Sequence, residues 1–372
     1  MNTYTKKEGL NMQRFAFIVH PLVARDFAKK FSLVKHLPES CLEGILRYIP
    51  SFKVSHITGI KSVHAEAEGW FIGCPLTARQ MLELPEEIVL DKIIQAGKVA
   101  ENLGAKIVGL GAFTSVVGDA GITIAKNLNI AVTSGNSYTV ATALEGTRAA
   151  TRLMGKELAD CNVVILGATG SIGAACTRIL ARESGKIALV ARNCERLENL
   201  AQDVRREAVG EIIATDNVKE SLKNADVVIA VTSALDCLIE PEDLKAGAVI
   251  CDVARPRNVS IEVSRKRKDV LVIEGGIVSV PGNVEFGFNF GFPEQTAYAC
   301  MAETMILALE GKYENFTLGR EISIEQIDTI TRLAKKHNFH LAGFRNAEQE
   351  VTKIEIEKIQ RSLGRRFVTR NI

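Results

Sequence analysis

The sequence predicts an α/β protein: a Rossmann-type doubly wound parallel sheet, a separate N-terminal α/β domain, and C-terminal helices. Three observations carry this reading. An apolar run at 163–166 is followed by Gly167-Ala168-Thr169-Gly170-Ser171-Ile172-Gly173 and then by an Ala-rich segment of helical character. Apolar runs at 186–191, 227–231 and 248–252 continue a strand–helix rhythm. A second set of short apolar runs occupies the first 135 residues.

Taken in order, residues 1–13 are a polar lead-in. Residues 15–19 read as a strand that His20-Pro21 ends, and a helix is expected over 22–33. Short strands are expected at 52–57 and 69–74. Helical spacing of apolar residues runs from 86 to 103, with Gly104 as a C-terminal cap. A strand at 107–111 comes next. The polar loop at 133–139 opens a helix expected to reach residue 159. Ser134, Asn136, Ser137 and Thr139 in that loop either line a cleft or cap the helix. The last sheet strand is expected at 273–278, and a helix at 293–310 has Pro293 near its start and Gly311 past its end. Ser323 and Gln326 have capping-box spacing. A charged helix at 347–363 precedes a basic end with Arg361, Arg365, Arg366 and Arg370. The expected units are 1–135, a linking helix at 136–160, a Rossmann unit at 161–290, and a helical region at 291–372.

The glycine-rich turn is a phosphate site by its chemistry. Gly167, Gly170 and Gly173 let backbone N–H groups approach a pyrophosphate, with Thr169, Ser171 and Ile172 between them. The helix after it points its positive end at the anion. The next strand ends in Arg192-Asn193, with Arg196 close behind, and has no acid there to hold a ribose 2′-hydroxyl. Guanidinium groups suit a 2′-phosphate, so NADPH is the expected cofactor. Thr232 and Ser233 follow a strand and Gly276 lies in the last one, near the strand ends where open α/β sheets gather ligands, although Gly275-Gly276 could equally make a tight turn.

Composition excludes several classes. A net charge of +2 argues against a general nucleic-acid binder. No apolar run is long enough for a transmembrane span, and the start of the chain has no signal-peptide core. The eight cysteines are scattered without a Cys-x-x-Cys pair, so no metal site is expected and the protein is expected to be cytoplasmic. Cys161, Cys176 and Cys251 read as small core residues. Cys300, placed about two turns into its expected helix with Glu303 three residues on, is by spacing either a core residue or a nucleophile.

Several segments resemble the long-chain fatty acyl–acyl carrier protein reductases of cyanobacteria. Gly111-Ala112-Phe113-Thr114-Ser115 resembles that family's Gly-Gly-Phe-Thr-Ser signature, and Ser134-Gly135-Asn136-Ser137 its Thr-Gly-Asn-Thr loop. The glycine turn and Ala191-Arg192-Asn193 with Arg196 resemble its cofactor segments. Tyr298-Ala299-Cys300-Met301-Ala302-Glu303 is similar to its Phe-Ala-Cys-Phe-Ala-Glu segment, and Asn315-Phe316-Thr317-Leu318-Gly319-Arg320 to the family's next downstream segment. The likeness runs in order from about residue 14 to 344.

The resemblance implies that Cys300 is the active cysteine, and that an acyl thioester is reduced to a fatty aldehyde with NADPH through an acyl-cysteine. It implies acyl carrier protein or acyl-coenzyme A as substrate, and leaves room for a partner enzyme that consumes the aldehyde. Asn136 and Ser134 are candidate oxyanion donors and His20 a candidate acid. Ala112 and Ser134 depart from the family's glycine and threonine. Two rival readings are a shikimate- or quinate-type alcohol dehydrogenase and a non-enzymatic NADPH-binding module. The first requires a lysine after an Asn-x-Thr-x-Pro segment, and Gly73-Cys74-Pro75-Leu76-Thr77-Ala78-Arg79 contains none.

Overall fold

The computed structural model of the chain describes residues 12–26, 38–288, 293–346 and 349–364. Strand β1 (Gln13–Val19) is buried along its middle, as its unbroken apolar run requires. It lies inside a sheet with β2 (Phe52–Lys61), β3 (Glu66–Gly73), β4 (Ile107–Leu110) and β5 (Ala131–Thr133). Helix α1 (Glu86–Asn102) buries Val89, Ile93, Ala96 and Ala100, a stripe at helical spacing. That stripe packs with Ala16 and Ile18 on one face of the sheet.

Helix α2 (Asn136–Leu153) leads to the second sheet. This sheet contains β6 (Asn162–Leu166), β7 (Lys186–Val190), β8 (Glu211–Thr215), β9 (Val227–Ala230), β10 (Val249–Asp252) and β11 (Leu271–Glu274). Helix α3 (Ser171–Leu180) comes after β6 and α4 (Cys194–Arg205) after β7. The strand order is β11-β10-β9-β6-β7-β8 and every pair is parallel. Strand order reverses beside β6, and a ligand crevice belongs at that switch point. The Rossmann reading of this sheet therefore holds.

The chain then returns to the first sheet. After β12 (Ile277–Ser279), strand β13 (Gly282–Glu285) pairs with β2, and β14 (Thr296–Tyr298) pairs with β12. The first sheet runs β13-β2-β3-β1-β4-β5. Its second face is covered by helix α5 (Ala299–Leu309), whose Ala302, Met305 and Ile306 pack with Phe15 and Phe17. Helices α6 (Ile324–Lys336) and α7 (Lys353–Ser362) complete the described chain.

Five expectations need correction. The expected strand at 273–278 is two strands from different sheets, because Gly276 takes a left-handed φ of 81° and turns the chain between them. The expected helix at 293–310 starts only at Ala299, because residues 296–298 find strand pairing with β12. Helix α2 stops at Leu153, where Gly155 at a φ of 66° closes the end, and does not reach 159. The Rossmann unit does not extend to 290, since β13 belongs to the first sheet. The last helix begins at Lys353 behind a Thr352–Glu355 capping box. Of the helix expected over 22–33, residues 24–26 are helical and 27–33 lie outside the described residues. Arg365, Arg366 and Arg370 also lie outside them.

Candidate active site

A cleft of about 1610 Å³ opens along the carboxyl ends of both sheets. Gly167, Thr169, Gly170, Ser171 and Ile172 line it, together with Arg192, Asn193, Arg196, Thr232, Ser233, Gly276, Ser134, Asn136, His20 and Cys300. Gly173 lies beneath the turn and off the wall. There a Cβ would sit 2.2 Å from the Gly167 carbonyl oxygen, so only glycine lets α3 approach so closely.

The turn fits an anion. Gly167 is left-handed, at a φ of 86°, and a Cβ on it would strike the Val231 backbone at 2.9 Å. Gly170 differs: its Cβ would meet only the Gly167 oxygen, at 3.3 Å, while the residue faces the cleft. A side chain at 170 thus asks the Gly167 carbonyl to give by a few tenths of an ångström and projects toward the space a phosphate would need. Gly170→Val is expected to melt within a few degrees of wild type and to lose NADPH binding, read by fluorescence titration. Normal titration removes the turn from the site.

At the rim, Asn193 caps α4 by accepting the Arg196 N–H at 2.8 Å. The Arg196 guanidinium donates to the Thr169 carbonyl at 3.1 Å and so braces the glycine turn. Arg192 stands on the cleft wall at the end of β7, where the sequence leads a 2′-phosphate partner to be expected. Arg192→Ala is expected to raise KM for NADPH by about tenfold or more and to leave KM for NADH nearly unchanged. Equal losses with the two cofactors overturn the 2′-phosphate assignment.

Cys300 is the second residue of α5, in its first turn and not two turns in as its spacing suggests. The helix dipole there favours a thiolate, but burial outweighs it and pushes the thiol up to about 12, with the Glu303 charge adding to the rise. Cys300 remains partly exposed and lines the cleft. Cys74 shares the cleft wall but is fully buried, and burial pushes it also up to about 12. Cys176 and Cys251 are buried among apolar neighbours. Cys300 is thus the accessible thiol of the cleft among the described residues.

The other candidates take more structural parts. The Phe113 N–H donates to His20 Nε2 at 3.2 Å, so Nε2 carries no proton, and Nδ1 donates to the Pro21 carbonyl at 3.0 Å. Burial pushes this ring down to about 4, so His20 is neutral with both nitrogens committed. It braces the 112–115 turn, and its one proton, on Nδ1, is held by the Pro21 carbonyl. Ser134 spends its hydroxyl proton on the Thr317 carbonyl at 2.5 Å. Asn136 sends one amide N–H to Ser171 Oγ at 3.3 Å, which links its loop to the phosphate turn. The Thr232 hydroxyl donates to Asn258 Oδ1 at 2.9 Å.

The contacts that three residues of the site make are not legible in the sequence. Gly135, left-handed at a φ of 75°, lies so close to Cys300 that a Cβ on it would be 2.4 Å from Cys300 Cα. Glu303 is fully buried behind the thiol. Arg255 lines the cleft, donates to Tyr298 Oη at 2.9 Å, and lies 3.6 Å from the buried Glu274 carboxylate. Its charge favours a Cys300 thiolate, but less than burial opposes one. Gly276 also does more than line the wall: its carbonyl accepts the Ala299 N–H at 2.6 Å and so sets where α5 begins.

Known proteins share parts of this architecture. The shikimate/quinate 5-dehydrogenase family model matches residues 148–274, the segment that holds the glycine turn. The chain is 30% identical over 339 residues to the aminotransferase PigE of Serratia sp., covering 88% of this chain and 39% of PigE. It thus spans about two fifths of that relative's length. It is 29% identical over 307 residues to the long-chain acyl-[acyl-carrier-protein] reductase of Synechococcus elongatus, covering 78% of this chain and 86% of that protein. Among solved structures, Entamoeba histolytica malic enzyme aligns with a TM-score of 0.43 at 13% identity, over 94% of this chain and 68% of that one. The chain is therefore related to nicotinamide-dependent oxidoreductases. No described helix is long and apolar enough to cross a membrane.

Proposed function

We propose that this chain reduces a long-chain acyl thioester to an aldehyde with NADPH, through an acyl group carried on Cys300. One observation carries the reading. A single cleft holds an accessible cysteine, a glycine phosphate turn, and an apolar wall of Phe17, Val19, Phe52, Val54, Phe113 and Phe288. The phosphate turn suits a dinucleotide, the apolar wall suits an acyl chain, and the thiol suits the carbonyl that joins the chain to its carrier.

The chemistry divides at the cysteine. Cys300 sulfur bonds to the thioester carbonyl carbon, the carrier's C–S bond breaks, and the thiol proton ends on the departing sulfur. Gly167, Gly170 and the start of α3 would hold a nicotinamide dinucleotide, which would supply a hydride to the acyl carbon. The Asn136 amide lines the same cleft and is the candidate to hold the oxyanion. Collapse of the hemithioacetal then breaks the C–S bond to Cys300 and releases aldehyde, and the sulfur takes a proton from water to return to the thiol. The thiol's source is acyl carrier protein or coenzyme A, and the released aldehyde suits a partner enzyme that consumes it.

A shikimate-type reading fits less well. No lysine lines the cleft among the described residues, although Gly73, Cys74 and Pro75 do. The test is a product assay. NADPH with a long-chain acyl thioester should give aldehyde in proportion to NADPH consumed. NADP reduction by shikimate or quinate, or turnover with none of these, overturns the reading.

A further inference from the structure

Glu303 presents a physical problem. Its side chain is fully buried, and burial raises its pKa. An unpaired carboxylate in such a place is costly unless hydrogen bonds compensate it. Its partners are all neutral: it accepts from Thr133 Oγ1 at 2.5 Å, from the Tyr138 N–H at 2.8 Å and from Thr317 Oγ1 at 3.1 Å. These donors belong to the end of β5, the first turn of α2 and the segment after α5.

Thr133 and Tyr138 bracket Gly135, whose backbone abuts that of Cys300. The same segments are tied again by Ser134 Oγ to the Thr317 carbonyl and by Ser137 Oγ to Thr317 Oγ1 at 2.7 Å. Thr317 is left-handed, at a φ of 50°, which is unfavourable for a β-branched residue. Such strain persists only where surrounding bonds over-determine it, and functional sites concentrate it.

We propose that Glu303 is a positioning residue: its buried carboxylate braces the 133–138 loop against Cys300 and holds the thiol in the attitude that acyl transfer requires. This deepens the acyl-thioester reading and rests on it. Glu303 acts through the loop. Its charge, one turn from the thiol, opposes ionisation of Cys300. Arg255, from the loop after β10, acts in the opposite sense, and the titratable side chain of Tyr298 precedes the helix. The loop residues bonded to Glu303 bring no charge.

The two roles of Glu303 can therefore be separated by sign. Alkylation of Cys300 by iodoacetamide, mapped by peptide mass spectrometry across pH, reads ionisation. Acyl-adduct formation from an acyl thioester without NADPH reads positioning. In Glu303→Gln the alkylation profile should move to lower pH, because a negative charge is gone. Acyl transfer should fall by about a hundredfold, because the thiol is no longer held in place. Glu303→Asp keeps the charge and shortens the reach, so it should keep the wild-type alkylation profile and lose acyl transfer. NADPH titration and thermal melting report the fold of each variant, and the aspartate variant carries the test if the glutamine variant does not fold. Wild-type acyl transfer in the folded variants overturns the positioning role, as does parallel loss of alkylation and acylation. No acyl adduct in the wild-type protein overturns the thioester reading instead.

Discussion

Cys300→Ser is expected to retain the fold and NADPH binding and to lower aldehyde formation by about a thousandfold or more. The change is nearly isosteric at a partly exposed position in the first turn of α5, so melting should shift by only a few degrees. The loss falls on chemistry, because a serine hydroxyl ionises far less readily than a thiol. The thiol itself is neutral near pH 7, since burial holds it up at about 12. Below that value the thiolate fraction rises with pH. Wild-type acylation should therefore climb roughly tenfold per pH unit between about 7 and 9, without a plateau. A plateau near neutrality would mean that the thiol is ionised by a group the cleft does not display. Full turnover in Cys300→Ser would mean direct hydride attack on the bound thioester.

Gly135→Ala should damage both the fold and acyl transfer. The added methyl would lie 2.4 Å from both Cys300 Cα and Cys300 Cβ, and 2.6 Å from the Cys300 carbonyl oxygen. Two of those three atoms are backbone, so no rotamer change relieves the clash. Alanine also resists the left-handed φ of 75°. Overpacking and strain together should cost about 2–4 kcal/mol of stability. The displaced thiol should lose about a hundredfold in acyl transfer. The glycine turn touches this loop only through the Asn136–Ser171 bond, so NADPH titration should weaken less than acyl transfer does. Differential scanning calorimetry and single-turnover acylation read the two effects, and wild-type values in both would show that the loop does not press on Cys300.

The second sheet is legible in the sequence because its signals are local. The apolar run of β6, the glycine turn and the amphipathic start of α3 lie within one short stretch. Pure parallel strands read as apolar runs, which is why β9 and β10 stand out. Strand β8, with its exposed and half-buried residues, makes no such run and is not visible in the pattern. The start of α5 is misplaced by the sequence for a different reason: residues 293–309 have helical composition, and only pairing with β12 keeps 296–298 extended.

The site is legible as far as residue chemistry can show it. Cys300, the polar loop and the arginines announce themselves by type. Gly135 looks like an ordinary loop glycine, because the backbone it meets belongs to α5. Glu303 looks like a mere helical neighbour of the cysteine, because its donor Thr133 is 170 residues away in sequence. His20 looks free to act as an acid, because its bond to the Phe113 amide, 93 residues away, has no local signal in the sequence. Ala112 shows the reverse case: it holds a left-handed φ of 48° where the family signature it resembles has glycine, so the turn geometry survives the substitution.

The covalent role of Cys300 is tested most directly by trapping its acyl group. Protein mixed with a long-chain acyl thioester in the absence of NADPH should gain the mass of one acyl group, mapped to the Cys300 peptide. The other seven cysteines serve as internal controls. Adding NADPH should discharge the adduct as aldehyde in a single turnover. An adduct on Cys74 or Cys194, or an adduct on Cys300 that NADPH cannot discharge, would contradict the account.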